Sequence, residues 1–248
     1  MSNSQIVAGL HSVRTALKHE GAVTEIWVEA RRQDRRIREI LQLAKEVGLK
    51  ATKVPKEELD ALAPGANHQG VVARTQAPAA LDESTLKALI EKLNVPPFLL
   101  VLDGVQDPHN LGACLRSADA AGAHAVIAPK DRSVGLGPTV CKVACGAAET
   151  VPFVQVTNLA RTLRWLQDEA GVWLIGTAGE AEANLFDTDL KGALALVMGG
   201  EEKGMRRLTR EACDALVKLP MAGQVESLNV SVAAGVALFE AVRQRAAG

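Results

Sequence analysis

The chain has 248 residues, 48% of them hydrophobic and 23% charged, which suits a globular protein with one large domain or two modest ones. A formal net charge of −1 implies no nucleic-acid partner by itself, and 3% aromatic residues without a tyrosine argue against a platform for stacking bases. No apolar run approaches a membrane span, and MSNSQIVAGLHSV lacks a basic-then-apolar leader, so the expected location is the cytoplasm.

The first third reads as a small α/β unit. GLHSVRTALKH has Leu10, Val13 and Leu17 at helical spacing, and TEIWVEA reads as a strand. DRRIREILQLAKEVG predicts a helix stopped by Gly48, followed by KATKV, a short helical KEELDALA, and a strand in GVVARTQA. Pro78 and the pair Pro96-Pro97 flank a short polar helix, so residues 77–96 read as a connector between a unit at 1–76 and a larger one at 97–248.

Beyond Phe98, apolar strands alternate with helices. The predicted strands are FLLVLD, AVIAP, TVPFVQV, VWLIGTA, ALALVMG and ALVKLPM, with helices over 110–121, 138–146, 158–170, 205–212 and 228–245. Nearly continuous apolar strands in this alternation indicate an α/β fold, its parallel sheet covered on both faces. Such sheets bind ligands beyond the carboxyl ends of their strands. Cys114, Cys141, Cys145 and Cys213 form no C-x-x-C pair and sit among apolar or helical neighbours, so buried thiols are expected rather than zinc ligands or disulfides.

Three loops at strand ends carry unusual polar residues. DGVQDPHN ends with Asn110, a candidate helix N-cap, and Arg116 follows within two turns. On local sequence alone this is a capped turn with a solvated arginine. VMGGEEKGM frames Glu201, Glu202 and Lys203 with glycines but lacks the Lys-Ser/Thr of a phosphate loop, and no G-x-G-x-x-G is present. LPMAGQVESLNVSV places Ser227, a candidate cap, before Asn229 and Ser231 at an apolar helix start. A polar side chain buried there needs a partner in the protein, in water or in a ligand.

Taken together, these loops resemble the three motifs of the SpoU (TrmH-like) RNA 2′-O-methyltransferases. The first is carried by Asp107-Pro-His-Asn110-Leu-Gly112 through Arg116. The second is carried by Leu196-Val-Met-Gly199 with Glu201 and Gly204, and the third by Leu219-Pro-Met through Glu226-Ser227-Leu-Asn229-Val-Ser231. GLHSV and HQGVVA look like the small RNA-binding domain, similar to ribosomal protein L30e, found in many members. LGACLRSADAAG, KVACGAAE and GMRRLTRE are similar to the bacterial 23S rRNA guanosine-2′-O-methyltransferases within the family.

The resemblance implies a SPOUT-type deep trefoil knot in the C-terminal domain, a homodimer through that domain, and S-adenosylmethionine bound at the knot without a metal. Pattern reasoning cannot reveal a knot. By the same resemblance Thr177, Gly199, Leu219 and Leu228 hold the cofactor, and Asn110, Arg116, Glu201, Ser227 and Asn229 form the catalytic set. Asn110 would fix Arg116 or the ribose, and Glu201 would orient Arg116 or nearby backbone. For Arg116 two roles stand: a base assisted by a substrate phosphate, or a stabiliser of the alkoxide while water takes the proton. The second is physically safer, because a guanidinium is almost never neutral.

Arg31, Arg32, Arg35, Arg36 and Arg38 read either as a solvated helix face or as phosphate contacts, and the resemblance favours RNA. Arg206, Arg207 and Arg210 could extend that surface or serve a dimer interface. The implied substrate is a guanosine of 23S rRNA in the peptidyl-transferase region. The alternatives are another rRNA or a tRNA nucleotide modified by the same chemistry, or a non-catalytic ribosome-assembly protein. A dehydrogenase is opposed by the missing glycine fingerprints.

Overall fold

The computed structural model describes residues 4–18, 23–76, 79–201 and 204–247, and the chain divides into two compact units, 1–78 and 79–248. The predicted positions 77, 78, Glu202 and Lys203 lie outside the described residues.

In the first unit, strands β1 (Ser4–Ala8), β2 (Val23–Glu29), β3 (Thr52–Val54) and β4 (Val71–Gln76) form one sheet in the order β1-β4-β2-β3. Helices α1 (Leu10–Leu17), α2 (Arg35–Glu46) and α3 (Lys56–Leu62) connect them. Asp34 starts α2 by accepting from the amides of Arg36 and Ile37, and Ile37, Ile40 and Ala44 then turn one face inward. That face packs with Val13, Ile26, Val28 and Ala73 in one apolar cluster, while Val54, Leu59 and Val72 form a second. Strand β1 had no sequence signal: SQIVA is short, polar at its start and, among the described residues, paired with β4 alone.

The second unit begins with α4 (Glu83–Glu91), inside the stretch expected as a connector. Residues 79–96 belong to this unit rather than linking two others. Leu81 bridges to Val154, Leu86 and Ile90 are buried, and Glu83 bonds Arg161 and Thr162. A composition rich in proline and charge concealed the apolar face of this helix.

Then follow β5 (Phe98–Asp103), α5 (Pro108–Ala121), β6 (Ala125–Pro129), α6 (Pro138–Ala144), α7 (Ala147–Thr150), β7 (Phe153–Val156) and α8 (Leu159–Asp168). The chain closes with β8 (Trp173–Thr177), β9 (Ala183–Asn184), β10 (Leu194–Gly199), α9 (Arg207–Glu211), β11 (Ala215–Lys218) and α10 (Val230–Ala246). Seven parallel strands run in the order β7-β6-β5-β10-β8-β11-β9. All of β5 is buried, and its residues alternate between two cores: Phe98, Leu100 and Leu102 on one face, Leu99 and Val101 on the other. Burying each of these leucines contributes about 1.5–3 kcal/mol.

Two expected elements change. The helix over 138–146 breaks at Cys145 and Gly146, both in left-handed conformations at φ 54 and 102. The helix over 205–212 shortens to α9, because Arg206 is extended. Strand β9, two residues long, was not expected.

The topology positions the site. Strand β10 sits between β5 and β8, so the loops after β5, β8, β10 and β11 converge beyond their carboxyl ends. Helix α10 packs on α5 and β10 and brings its own N-terminus to the same place.

Candidate active site

Asp107, not Asn110, caps α5: its carboxylate accepts from the amide of His109 at 2.8 Å, and Pro108 fills the first turn without wasting a donor. That amide holds the Asp107 carboxyl below its ordinary range, with the adjacent His109 ring adding to it. The shift of the cap by three residues moves Asn110 into the helix, where it is buried.

Asn110 joins the three motifs. Its Nδ2 donates to Glu201 Oε1 at 2.8 Å, and its Oδ1 accepts from Asn229 Nδ2 at 3.0 Å. Asn229, rather than Ser227, caps α10, its Oδ1 accepting from the amide and hydroxyl of Ser231 at 2.9 and 2.7 Å. Every bond in this chain has one direction, ending on a carboxylate that can only accept while ionised. Ser227 is exposed beside it, on the rim of a cleft.

The cleft has a volume of about 290 Å³ and is lined by Thr177, Gly199, Glu201, Leu219, Ser227 and Leu228, among others. All four residues expected to hold a cofactor are therefore together. Sequence reasoning missed Met198, Met221 and Ala233, whose apolar side chains gave no signal beyond core. Gly199 is obligatory, because a Cβ there would stand 2.3 Å from the backbone of Gly204 and Met205. Gly112 likewise lets α5 approach α6, where a Cβ would lie 2.7 Å from Val143.

The lining contains the carboxylates Glu201 and Glu226 and, among the described residues, neither lysine nor arginine. Among the described lining residues a polyphosphate would meet carboxylates and no cation, whereas an adenosyl group with a cationic sulfonium finds apolar walls, open backbone and negative charge. Among the described residues no three His, Cys, Asp or Glu are grouped to hold a metal ion.

Arg116 does not join this network. Six residues along α5 turn it about 240° from Asn110, and it is exposed, its Nη1 3.7 Å from Cys145 Sγ. Among the described residues it bonds none of Asn110, Glu201, Ser227 or Asn229. The four cysteines also differ from one another: Cys114 is buried, Cys141 and Cys213 are half-buried, and Cys145 is exposed, against the expectation of four buried thiols. Burial, with Glu201 nearby, pushes the Cys114 thiol up to about 12, and burial does the same at Cys213.

Asp103 is buried at the end of β5 and bound to Arg206. Arg207 pairs with Glu211 and Arg210 with Glu180, so all three arginines after the second motif have carboxylate partners.

In the first unit, Arg31, Arg35, Arg36 and Arg38 are exposed. Arg35 pairs with Glu39 at 3.2 Å, while Arg31, Arg36 and Arg38 have no acidic partner among the described residues. Arg32 is different: its guanidinium donates to Asp34 at 2.8 Å and to the Gln69 carbonyl, bracing the loop before β4.

Comparison with known proteins agrees with the motifs. Residues 97–239 match the model of the SpoU rRNA Methylase family, and residues 6–80 match that for RNA 2′-O ribose methyltransferase substrate binding. The chain is 60% identical over 247 residues to the 23S rRNA (guanosine-2′-O-)-methyltransferase RlmB of Ralstonia nicotianae, covering 99% of this chain and 98% of the relative. It is 56% identical to the protein of that name from Vibrio cholerae, covering 100% and 99%. Among solved structures, the SpoU methyltransferase AviRb from Streptomyces viridochromogenes in complex with AdoMet superposes with a TM-score of 0.81 at 27% identity, covering 99% of this chain and 92% of that one. The chain belongs to the SpoU rRNA methylase family.

Proposed function

We propose that the protein transfers the methyl group of S-adenosylmethionine to the ribose 2′-hydroxyl of a guanosine in 23S rRNA. The observation that carries this reading is the chain Glu201–Asn110–Asn229, which ties three strand-end loops together on the rim of a cleft whose described lining holds no lysine or arginine. Relatives at 60% and 56% identity over nearly their whole length bear the name of that activity.

In the reaction the bond from O2′ to the methyl carbon forms as the bond from carbon to sulfur breaks. A neutral thioether leaves, and the hydroxyl proton passes to water. The sulfonium supplies an electrophilic methyl carbon when bound, so the protein's task is alignment, a contribution of up to roughly 7–11 kcal/mol. Thr177, Gly199, Leu219 and Leu228 shape the cofactor's seat, Ser227 and Asn229 position the nucleotide, and Asn110 and Glu201 hold the loops in register. Arg116 stabilises the developing alkoxide.

Arg116 points away from Asn110, so we assign its service to the cleft of a second copy. The dimer would form on α10, where Val232 and Phe239 stand seven residues apart on one side, each about half exposed, with Leu228 near their start. The return of α10 across β10, with β10 set between β5 and β8, supports the deep trefoil knot of the SPOUT type. The first unit, similar in our reading to ribosomal protein L30e, would bind the rRNA through Arg31, Arg35, Arg36 and Arg38. A cytoplasmic location follows from the substrate, and no described helix is long and apolar enough to cross a membrane.

Mapping of 2′-O-methyl groups by mass spectrometry, in rRNA and tRNA from a strain lacking the gene, tests the reading. Loss of one guanosine methylation in 23S rRNA, restored by the purified protein with S-adenosylmethionine, is the expected result. Loss in tRNA instead, or no loss anywhere, overturns it.

A further inference from the structure

The carboxylate of Asp103 is buried completely, and both of its oxygens are occupied by one residue 103 positions away. Oδ2 accepts from the Arg206 backbone amide at 2.8 Å, and Oδ1 accepts from Arg206 Nε at 2.6 Å, with Nη2 also 2.6 Å distant. A buried charge so enclosed is stable only while its partner stays in place. This pair fastens the far end of the loop after β10. The near end is fastened by the parallel register of Gly199 with Asp103 and by the bridge between Gly200 and Gly204. Gly200 lies so close to the Gly104 carbonyl that a Cβ would stand 2.5 Å from it.

Between these two fastenings lies Glu201, the acceptor of the Asn110 bond, and Gly199, Gly200 and Gly204 form cleft wall on either side of it. The described residues at the two ends of the loop, Gly200–Glu201 and Gly204–Arg206, thus serve the cleft wall and the Asn110 bond together, and the second end is fixed from Asp103. We infer that Asp103 and Arg206 are a positioning pair for methyl transfer: by anchoring the chain after Gly204 they keep the Gly199, Gly200 and Gly204 wall of the cleft and the Glu201–Asn110 bond in place together. Arg206 is thereby assigned to the cleft rather than to the RNA surface or a dimer contact. The inference rests on the reading of the cleft as the S-adenosylmethionine seat.

The test uses the full-length protein with Arg206→Gln, Asp103→Asn and the double variant. Calorimetry measures S-adenosylmethionine affinity, gel-shift titration measures 23S rRNA fragment affinity, and methyl transfer gives kcat and KM. Arg206→Gln leaves a buried carboxylate unpaired, and the expected result is a loss of S-adenosylmethionine affinity of about tenfold or more. Fragment affinity and its salt dependence stay at the wild-type level. The double variant, which removes the unpaired charge, recovers part of the affinity that Arg206→Gln forfeits. A destabilised fold alone would lower both affinities together and move the melting temperature in proportion. Arg206→Lys retains the charge but not the fork, and covers the case in which Arg206→Gln does not fold. The inference is overturned if the variants that fold bind S-adenosylmethionine like wild type, or if Arg206→Gln weakens RNA binding and spares the cofactor. Failure of wild-type protein to bind S-adenosylmethionine would instead overturn the reading of the cleft.

Discussion

Asn110 and Asn229 stand 119 positions apart, and the amide of the second donates to the carbonyl of the first at 3.0 Å. Because Asn229 also caps α10, that bond couples the entry angle of the last helix to the first turn of α5. Because Asn110 donates in turn to Glu201, the coupling extends to the loop after β10. One amide thus holds three loops in register.

Replacing Asn110 by Asp puts a second carboxylate against Glu201 and offers Asn229 the same acceptor. Two carboxylates at this distance cannot both ionise readily, so one is pushed above its ordinary range. The expected outcome is methyl transfer that is weakened near neutral pH and partly restored on acidification, when a proton bridges the pair. A pH-rate profile of Asn110→Asp parallel to wild type would show that the bond to Glu201 has no catalytic consequence. Asn229→Ala removes both the coupling and a helix cap. It should lower stability by about 0.5–2 kcal/mol, read by denaturant titration, beside the fall in rate.

Arg116→Ala removes a cation without touching the Glu201–Asn110–Asn229 chain or the cleft lining. S-adenosylmethionine affinity should stay at the wild-type level while kcat falls by about two to three orders of magnitude, as for loss of one charge-stabilising group. Mixed dimers distinguish the geometry. If Arg116 serves a neighbouring copy, an Arg116→Ala chain and an Asn110→Ala chain, each inactive, form one working site between them. Absence of activity in purified mixed dimers would place Arg116 in its own chain's cleft.

How far the sequence discloses this molecule differs by element. The buried strands of the second unit announce themselves, since FLLVLD or ALALVMG can satisfy its side chains only inside a covered parallel sheet. The three polar loops are visible because their residues fit poorly where they stand, and the motif spacing then assembles them. What stays hidden is what depends on distant partners. Asp103 looks like a turn residue because Arg206 is 103 positions away. Asn110 looks like a cap because Asp107, three residues earlier, suits the same task. The separation of Arg116 from Asn110 follows from helical rotation, yet only once the start of α5 is known. The face of α4 was obscured by the prolines around it.

The arginines of the first unit divide into two kinds. Arg31, Arg36 and Arg38 are exposed and, among the described residues, have no acidic partner, whereas Arg32 braces the Gln69 carbonyl and Asp34. Replacing the first three by glutamine should weaken rRNA binding and flatten the slope of log K against log salt by about 0.7–0.9 for each phosphate no longer neutralised. The melting temperature should not move. Arg32→Gln should do the reverse, lowering stability more than it lowers the salt slope. Equal effects of the two substitutions on RNA binding would place Arg32 in the interface.

Glu240 contributes to the acid limb of the stability curve. Its side chain is 7% exposed on α10, where Arg243 donates to both oxygens at 2.8 Å and Gln244 adds a third bond at 2.8 Å. The hydrogen bonds from Arg243 are the largest influence, and they lower the carboxyl from its ordinary 4.5 to about 2. A carboxyl lowered on folding contributes stability that is fully present above its unfolded value and is lost as pH falls toward its folded value. The contribution of Glu240 should therefore be constant from pH 7 down to about 4.5 and decline below that toward about 2. Glu240→Gln keeps an acceptor for Arg243 but has no proton to gain, so the difference in melting temperature between it and wild type should narrow only in that window. A difference that stays constant through pH 3 would mean that Glu240 is no more acidic in the folded chain than in the unfolded one.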